Sequence, residues 1–234
     1  MIIGLTGLYC AGKNHVGLLL EKRGCPVLDA DKLGYEIIHT ETEKIVTIFG
    51  KKILGSDGHI DRQLLGKRVF GRPEKLAALE AIVHPGVNRL IEEWIAAEEA
   101  HRAGLCVINA ALLQKSSIFE RLGAIIVVYA PFPIRFFRAL RRDKRSPWEL
   151  FKRFWSQKDF PHYNNRKNRP KLFSSAADIY TIRNSGFSGT RRILERQLDI
   201  ILEGLHHGKE KIIIGSGISR SIPCDRGECR NPDL

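Results

Sequence analysis

The chain has 234 residues, of which 38 are Lys or Arg and 26 are Asp or Glu, for a formal net charge of +12. That length suits one α/β domain with a substantial core and room for an inserted subdomain. There is no run of about 18 apolar residues, which argues against a helical membrane span, and the start lacks the basic flank and cleavage site of an export signal.

The first residues carry the strongest signal. Ile2, Ile3 and Leu5 read as a buried strand, over about residues 2–6, that runs into Gly7-Leu8-Tyr9-Cys10-Ala11-Gly12-Lys13-Asn14. This is the G-x-x-x-x-G-K pattern of a phosphate-binding loop, with Asn14 where Ser or Thr normally follows. Glycines allow backbone N–H groups to turn toward a polyphosphate, the lysine reaches the outer phosphates, and the following helix offers its positive end. Val16, Leu18, Leu19 and Leu20 supply that helix, about 13–23, with Gly24 as its stop. A bare glycine turn is the competing reading. The strand before the loop and the helix after it favour the ligand. In such loops a hydroxyl helps hold Mg²⁺. Asn14 offers a carboxamide oxygen instead, which also accepts hard cations.

Pro26-Val27-Leu28 predicts a second strand, ending at Asp29-Ala30-Asp31. Carboxylates at the carboxyl end of a parallel strand sit on the ligand-binding rim. One of the two serves as a general base in this reading, preferably Asp31, and the other caps the helix from Lys32. Ile45–Phe49 is amphipathic, Asp57-Gly58 marks a turn, and Asp61 is placed to cap a helix over Arg62–Val69. A helix over Glu74–Val83 turns Leu76, Leu79, Ile82 and Val83 inward. His84-Pro85 is expected to break it before a further helix at about 86–102. His84 reads as structural, with ligand contact as the alternative.

Leu105–Ile108, ending at Asn109, and Ala124–Tyr129 are apolar runs suited to a parallel sheet covered on both faces. Arg135 to Lys171 then carries thirteen Lys or Arg and three acids, with Phe136, Phe137, Trp148, Phe151, Phe154 and Trp155 interleaved. A nucleic-acid surface, an arginine lid closing on phosphates and a solvated helix pair all fit that segment. The spacing of Phe151, Phe154 and Trp155 turns them toward a core. Ile179–Ile182 is a last strand, Asn184-Ser185-Gly186 a loop, and Thr190–Leu205 an amphipathic helix. Beyond His206 the periodicity fails and a mobile tail is expected, with Ile212–Ile214 as a candidate docking strand. The five scattered cysteines read as free thiols of a reducing cytoplasm.

Several pieces now resemble one family. They are I-I-G-L-T-G with A-G-K, P-V-L-D-A-D-K-L at 26–33, D-G-H-I-D-R with V-F at 57–70, H-P at 84–85, A-L-L at 111–113, and A-D with N-S-G at 177–186. In order and spacing the chain is similar to the dephospho-coenzyme A kinase family over about 1–204. The resemblance implies an α/β P-loop nucleotide-kinase fold with a parallel sheet, a helical substrate region at about 50–104 and a lid at about 135–175, leaving 205–234 as tail. It implies transfer of the ATP γ-phosphate to the ribose 3′-hydroxyl of dephospho-coenzyme A in the cytoplasm, with ATP and Mg²⁺ and without nucleic-acid or membrane partners. Carried over, Asp31 is the base. Lys13 and Arg142 stabilise transferred charge. Ala11, Gly12, Lys13, Asn14, His15 and Val16 bind ATP, with Asn184 and Gly186 near the adenine. His84 and Arg138 join Asp31 toward the acceptor, and Asn14 is the candidate metal contact. The family pattern has D-V-P-L-L after the third strand, whereas this chain has Asn109-Ala110-Ala111-Leu112-Leu113, so a second metal-side position is also a carboxamide. A nucleotide-binding protein without transfer activity, a kinase for another substrate and a nucleic-acid binder are the other readings.

Overall fold

A computed structural model describes residues 1–101, 104–143, 146–155, 177–185, 190–206 and 218–221. The chain divides into two compact units, residues 1–27 with 104–234 and residues 28–103.

The first unit is built on a sheet. The sheet's strands are β1 (Ile2–Gly7), β2 (Val27–Asp29, whose last two residues belong to the second unit), β3 (Cys106–Asn109), β4 (Ala124–Tyr129), β5 (Asp178–Arg183) and β6 (Ile218–Ser221), in the order β2-β3-β1-β4-β5-β6. β1 runs parallel to both β3 and β4, and β4 parallel to β5. The order explains the near-continuous apolar runs. β1 and β4 are central and covered on both faces, so almost every residue of each is buried. The helix α1 (Lys13–Glu21) packs Val16, Leu19 and Leu20 into the same core as Ile3, Leu5, Ile126 and Val128. Chain reversal from α1 toward β2 uses Gly24 at φ 78°, a left-handed turn that suits glycine.

Part of the expected tail is structured. β6 pairs antiparallel with β5, with Ile182 opposite Ile218. The otherwise open edge of β5 offers unpaired backbone groups that a trailing segment satisfies. Ile212–Ile214, the run expected to dock, lies outside the described residues.

The second unit is helical: α2 (Ala30–Thr40), α3 (Thr42–Phe49), α4 (Arg62–Val69) and α5 (Pro73–Ala100). Its core gathers Ile45, Phe49, Ile53, Ile60, Leu65 and Val69, with Leu79 and Ile82 against them. The Asp57-Gly58 turn forms, with Gly58 at φ 77° and a bridge between Leu54 and Ile60. Asp61 caps α4 as expected, its carboxylate accepting from the Gln63 and Leu64 N–H groups at 2.6 and 3.1 Å. Asp61→Ala should therefore cost about 1 kcal/mol, read as a fall in Tm of about 2–4 °C without loss of the native circular dichroism.

α5 corrects the sequence reading. His84-Pro85 does not break it; one helix runs from Pro73 to Ala100 with Pro85 inside. Proline removes one intrahelical bond there, and packing on both sides offsets the loss. Leu79 and Ile82 join the core on one side of Pro85, and Ile91 and Ile95 are buried beyond it. Gly86 lets α2 come close, since a methyl group there would stand 2.8 Å from the Ile37 side chain. Leu76, expected inward, is 42% exposed, because the first turns of α5 run outside that core.

The basic segment opens, within the first unit, with α6 (Phe132–Arg142) and α7 (Pro147–Trp155). Phe154 is buried, stacking edge-on with Tyr9 and Phe132. Phe151, expected to face the same way, is 41% exposed and stacks on Trp148 instead. Phe136 and Tyr9 pack on the same cluster, and the side chain of Trp155 lies outside the described ones. A last helix, α8 (Thr190–His206), buries Leu194, Leu198 and Ile201 against the sheet core.

Candidate active site: the phosphate loop and its supports

β1 ends at Gly7 and the loop continues to Gly12, which takes φ 97° and ψ 31° at the start of α1. Cys10 also has positive φ, at 58°. That is an uncommon state for a residue with a Cβ, and the surrounding bonds impose it.

Those bonds fall on the loop carbonyls. Leu8 O accepts from Ala11 N–H at 3.0 Å, and Gly12 O accepts from the His15 and Val16 N–H groups at 3.1 and 3.2 Å. Arg135 donates to Tyr9 O at 3.4 Å and to Ala130 O at 3.0 Å. Arg138 donates to Cys10 O at 3.3 Å and Ala11 O at 3.2 Å. Its other nitrogen donates to Asn184 O and Asn184 Oδ1, and the Asn184 amide donates to Ala11 O at 3.0 Å. Carbonyls from residue 8 to residue 12 are thus all engaged by the protein. Alternating peptide dipoles then favour N–H groups directed to the other side, where the first turn of α1 lacks intrahelical acceptors. Burial pulls both the Arg135 and the Arg138 guanidinium below the ordinary arginine value, opposed by the electrostatic effect of neighbouring groups, Cys10 in both cases. Arginine starts so high that both stay charged near neutrality.

Of the residues expected at the phosphates, Ala11 and Val16 are fully buried and support the loop, while Asn14 and His15 are exposed. Lys13 opens α1. Arg138 and Asn184, expected on the ligand side, bind the loop and each other. Arg135, absent from the sequence-based site, holds the loop as well. Its signal was a charge within an apolar helix face, buried to 9% exposure. Arg142 lies at the end of α6, paired with Asp143 at 2.8 Å and 5.1 Å over the Tyr9 ring. Gly186 lies outside the described residues.

In the second unit, Asp29 takes the position before α2 without capping it, and one of its carboxylate oxygens is buried without a hydrogen-bond partner. Asp31 is exposed in the first turn of α2. His84 is half-buried within α5.

The two carboxamides singled out from sequence meet. Asn109, the last residue of β3, donates from Nδ2 to Asn14 Oδ1 at 3.2 Å. Asn109 is 2% exposed, and its Oδ1 is buried without a partner. P-loop enzymes hold Mg²⁺ with a hydroxyl in the first place and a carboxylate in the second. Here both donors are neutral oxygens, one of them unsatisfied. They fit a hard divalent cation, and neither brings a negative charge to it. Among the described residues no group of three His, Cys, Asp or Glu is placed to bind a metal.

Residues 1–169 match the family model described as dephospho-CoA kinase. A dephospho-CoA kinase of Treponema pallidum is 32% identical over 208 residues, covering 86% of this chain and 93% of that protein. A dephospho-CoA kinase of Thermus thermophilus is 33% identical over 208 residues, covering 89% and 93%. A crystal structure of a Thermus thermophilus protein superposes with a TM-score of 0.70 at 33% identity, covering 88% of this chain and 97% of that one. A dephospho-CoA kinase from Campylobacter jejuni shares the fold, with a TM-score of 0.59 at 24% identity over 87% and 96% of the two chains. With a phosphate loop on a parallel sheet and these relatives along nearly its whole described length, the chain belongs to the dephospho-CoA kinase family.

Proposed function

We propose that this protein transfers the γ-phosphoryl group of ATP to the ribose 3′-hydroxyl of dephospho-coenzyme A, giving coenzyme A and ADP. The observation that carries the reading is the loop from Gly7 to Lys13, whose carbonyls from residue 8 to residue 12 are tied back by the protein. Such a loop is preorganised to donate to a triphosphate, and phosphoryl transfer depends chiefly on positioning and electrostatics. Family membership supplies the acceptor.

In this reading the 3′-oxygen attacks the γ-phosphorus, the bond to the ADP bridging oxygen breaks, and Asp31 takes the hydroxyl proton. Lys13 and the first turn of α1 bind the phosphates. Arg142 neutralises charge on the transferring group, and His84 contributes to the acceptor side. Arg138 and Asn184 act through the loop. A bound Mg²⁺ would neutralise charge on the phosphates, and Asn14 and Asn109 would be the protein oxygens within its reach. The cytoplasm, where ATP is abundant, is the expected compartment.

Purified protein with ATP, Mg²⁺ and dephospho-coenzyme A should yield a product heavier by one phosphoryl group in mass spectrometry. No product across a range of divalent metals would reject the transfer. One observation favours a second reading: the carboxamides at 14 and 109 are compatible with a protein that binds ATP without turning it over. Saturable ATP binding with no product would select it.

A further inference from the structure

The hydrogen bond between Asn14 and Asn109 has a consequence for how the nucleotide arrives. In the reading above the phosphates meet cations: Lys13 at the start of α1, and Arg142 at the end of α6, over Tyr9 and paired with Asp143. Arg135 and Arg138 add two more charges immediately behind the loop. Against these, the two metal-side positions, Asn14 and Asn109, bring no negative charge of their own. Asn109 closes β3 with a carboxamide, its Nδ2 spent on Asn14 and its Oδ1 a buried neutral acceptor without a partner.

A carboxylate at the end of β3 would repel a bare triphosphate, and a divalent cation would be needed to bridge the two. A carboxamide imposes no such requirement. It carries no charge, its oxygen can meet a cation or a water, and its N–H groups donate rather than repel. We propose that this site binds ATP almost equally well with and without a divalent cation, and that any cation entering it is held by the nucleotide rather than by the protein. The inference rests on ATP being the nucleotide, as argued above. It concerns the order and strength of binding, which the transfer reaction itself does not fix.

The experiment is calorimetric titration of the full-length protein with ATP, once in EDTA and once in excess Mg²⁺. The wild-type dissociation constants should agree within about fivefold; a larger loss in EDTA would overturn the proposal. Asn109→Asp should restore the requirement, losing at least about tenfold in EDTA and recovering with Mg²⁺. Asn14→Asp, at an exposed position, repeats the test where a buried carboxylate at 109 prevents folding. If both variants fold and keep the wild-type ratio, the neutral pair is not the cause and the proposal fails. Mn²⁺ titration followed by electron paramagnetic resonance gives a second readout: free Mn²⁺ should bind the aspartate variants and not the wild type in the absence of ATP, and tight binding by the wild type would overturn it. Absence of ATP binding under both conditions would remove the functional reading itself and this one with it.

Discussion

Asp31→Asn should lower kcat by about 10²–10⁴ while leaving ATP affinity unchanged, because a general base contributes that much and the amide cannot accept the proton. The structural cost should be small. Asp31 is exposed in the first turn of α2, where a carboxylate favours the helix by about 0.3–1 kcal/mol through the helix dipole. A large kinetic effect with a small stability effect would separate catalysis from folding. Asp29 is the informative control. It sits two residues earlier with a buried, unpartnered carboxylate oxygen and does not cap α2. Asp29→Asn should cost less than about tenfold in kcat, as expected for a group outside the proton transfer. Steady-state kinetics on both variants, with thermal unfolding alongside, decide the matter. If Asp29→Asn abolishes turnover and Asp31→Asn does not, the base assignment passes to Asp29.

What the sequence made legible was local. The β1–loop–α1 unit, β3, β4 and the Asp61 cap each carry their signal within about ten residues, as hydrophobic period, glycine spacing or a capping side chain. The misreadings concern partners distant in sequence. Proline predicts a break because it costs a hydrogen bond locally, yet α5 gains enough packing on either side of Pro85 to run through. Arg138 reads as a ligand-side charge; its bonds to Cys10 O and Ala11 O could not be read, because they depend on β1 lying beside β4 and the chain leaving β4 bringing α6 over the loop. Asn14 and Asn109 could each be recognised as unusual. That they bond to each other depends on β3 pairing with β1, a neighbour relation between strands about a hundred residues apart. Side-chain chemistry was therefore readable where the motif was contiguous, and the supports of the site were not.

Those supports make Gly12 the position where one methyl group should do most damage to nucleotide binding. Gly12 takes φ 97°, a conformation that costs a residue with a Cβ about 1–2 kcal/mol. A methyl group there would also run into the side-chain amide of Asn184. That amide cannot simply turn away, because it donates to Ala11 O while its oxygen accepts from Arg138 at 3.1 Å. Displacing it removes one of the two bonds to Ala11 O and one of the two that the same Arg138 nitrogen makes to Asn184, and each lost bond at a partly buried site adds about 1 kcal/mol. Gly12→Ala should therefore weaken ATP binding by about 10²-fold, with a loss of stability of about 2–4 kcal/mol. Gly66, inside α4 with open space around it, is the control: Gly66→Ala should stabilise by about 0.5–1 kcal/mol and leave ATP binding alone. Titration with ATP and denaturant unfolding of the two variants test both halves. Gly12→Ala binding ATP like the wild type would mean that the tied-back carbonyls do not set the geometry of the phosphate site.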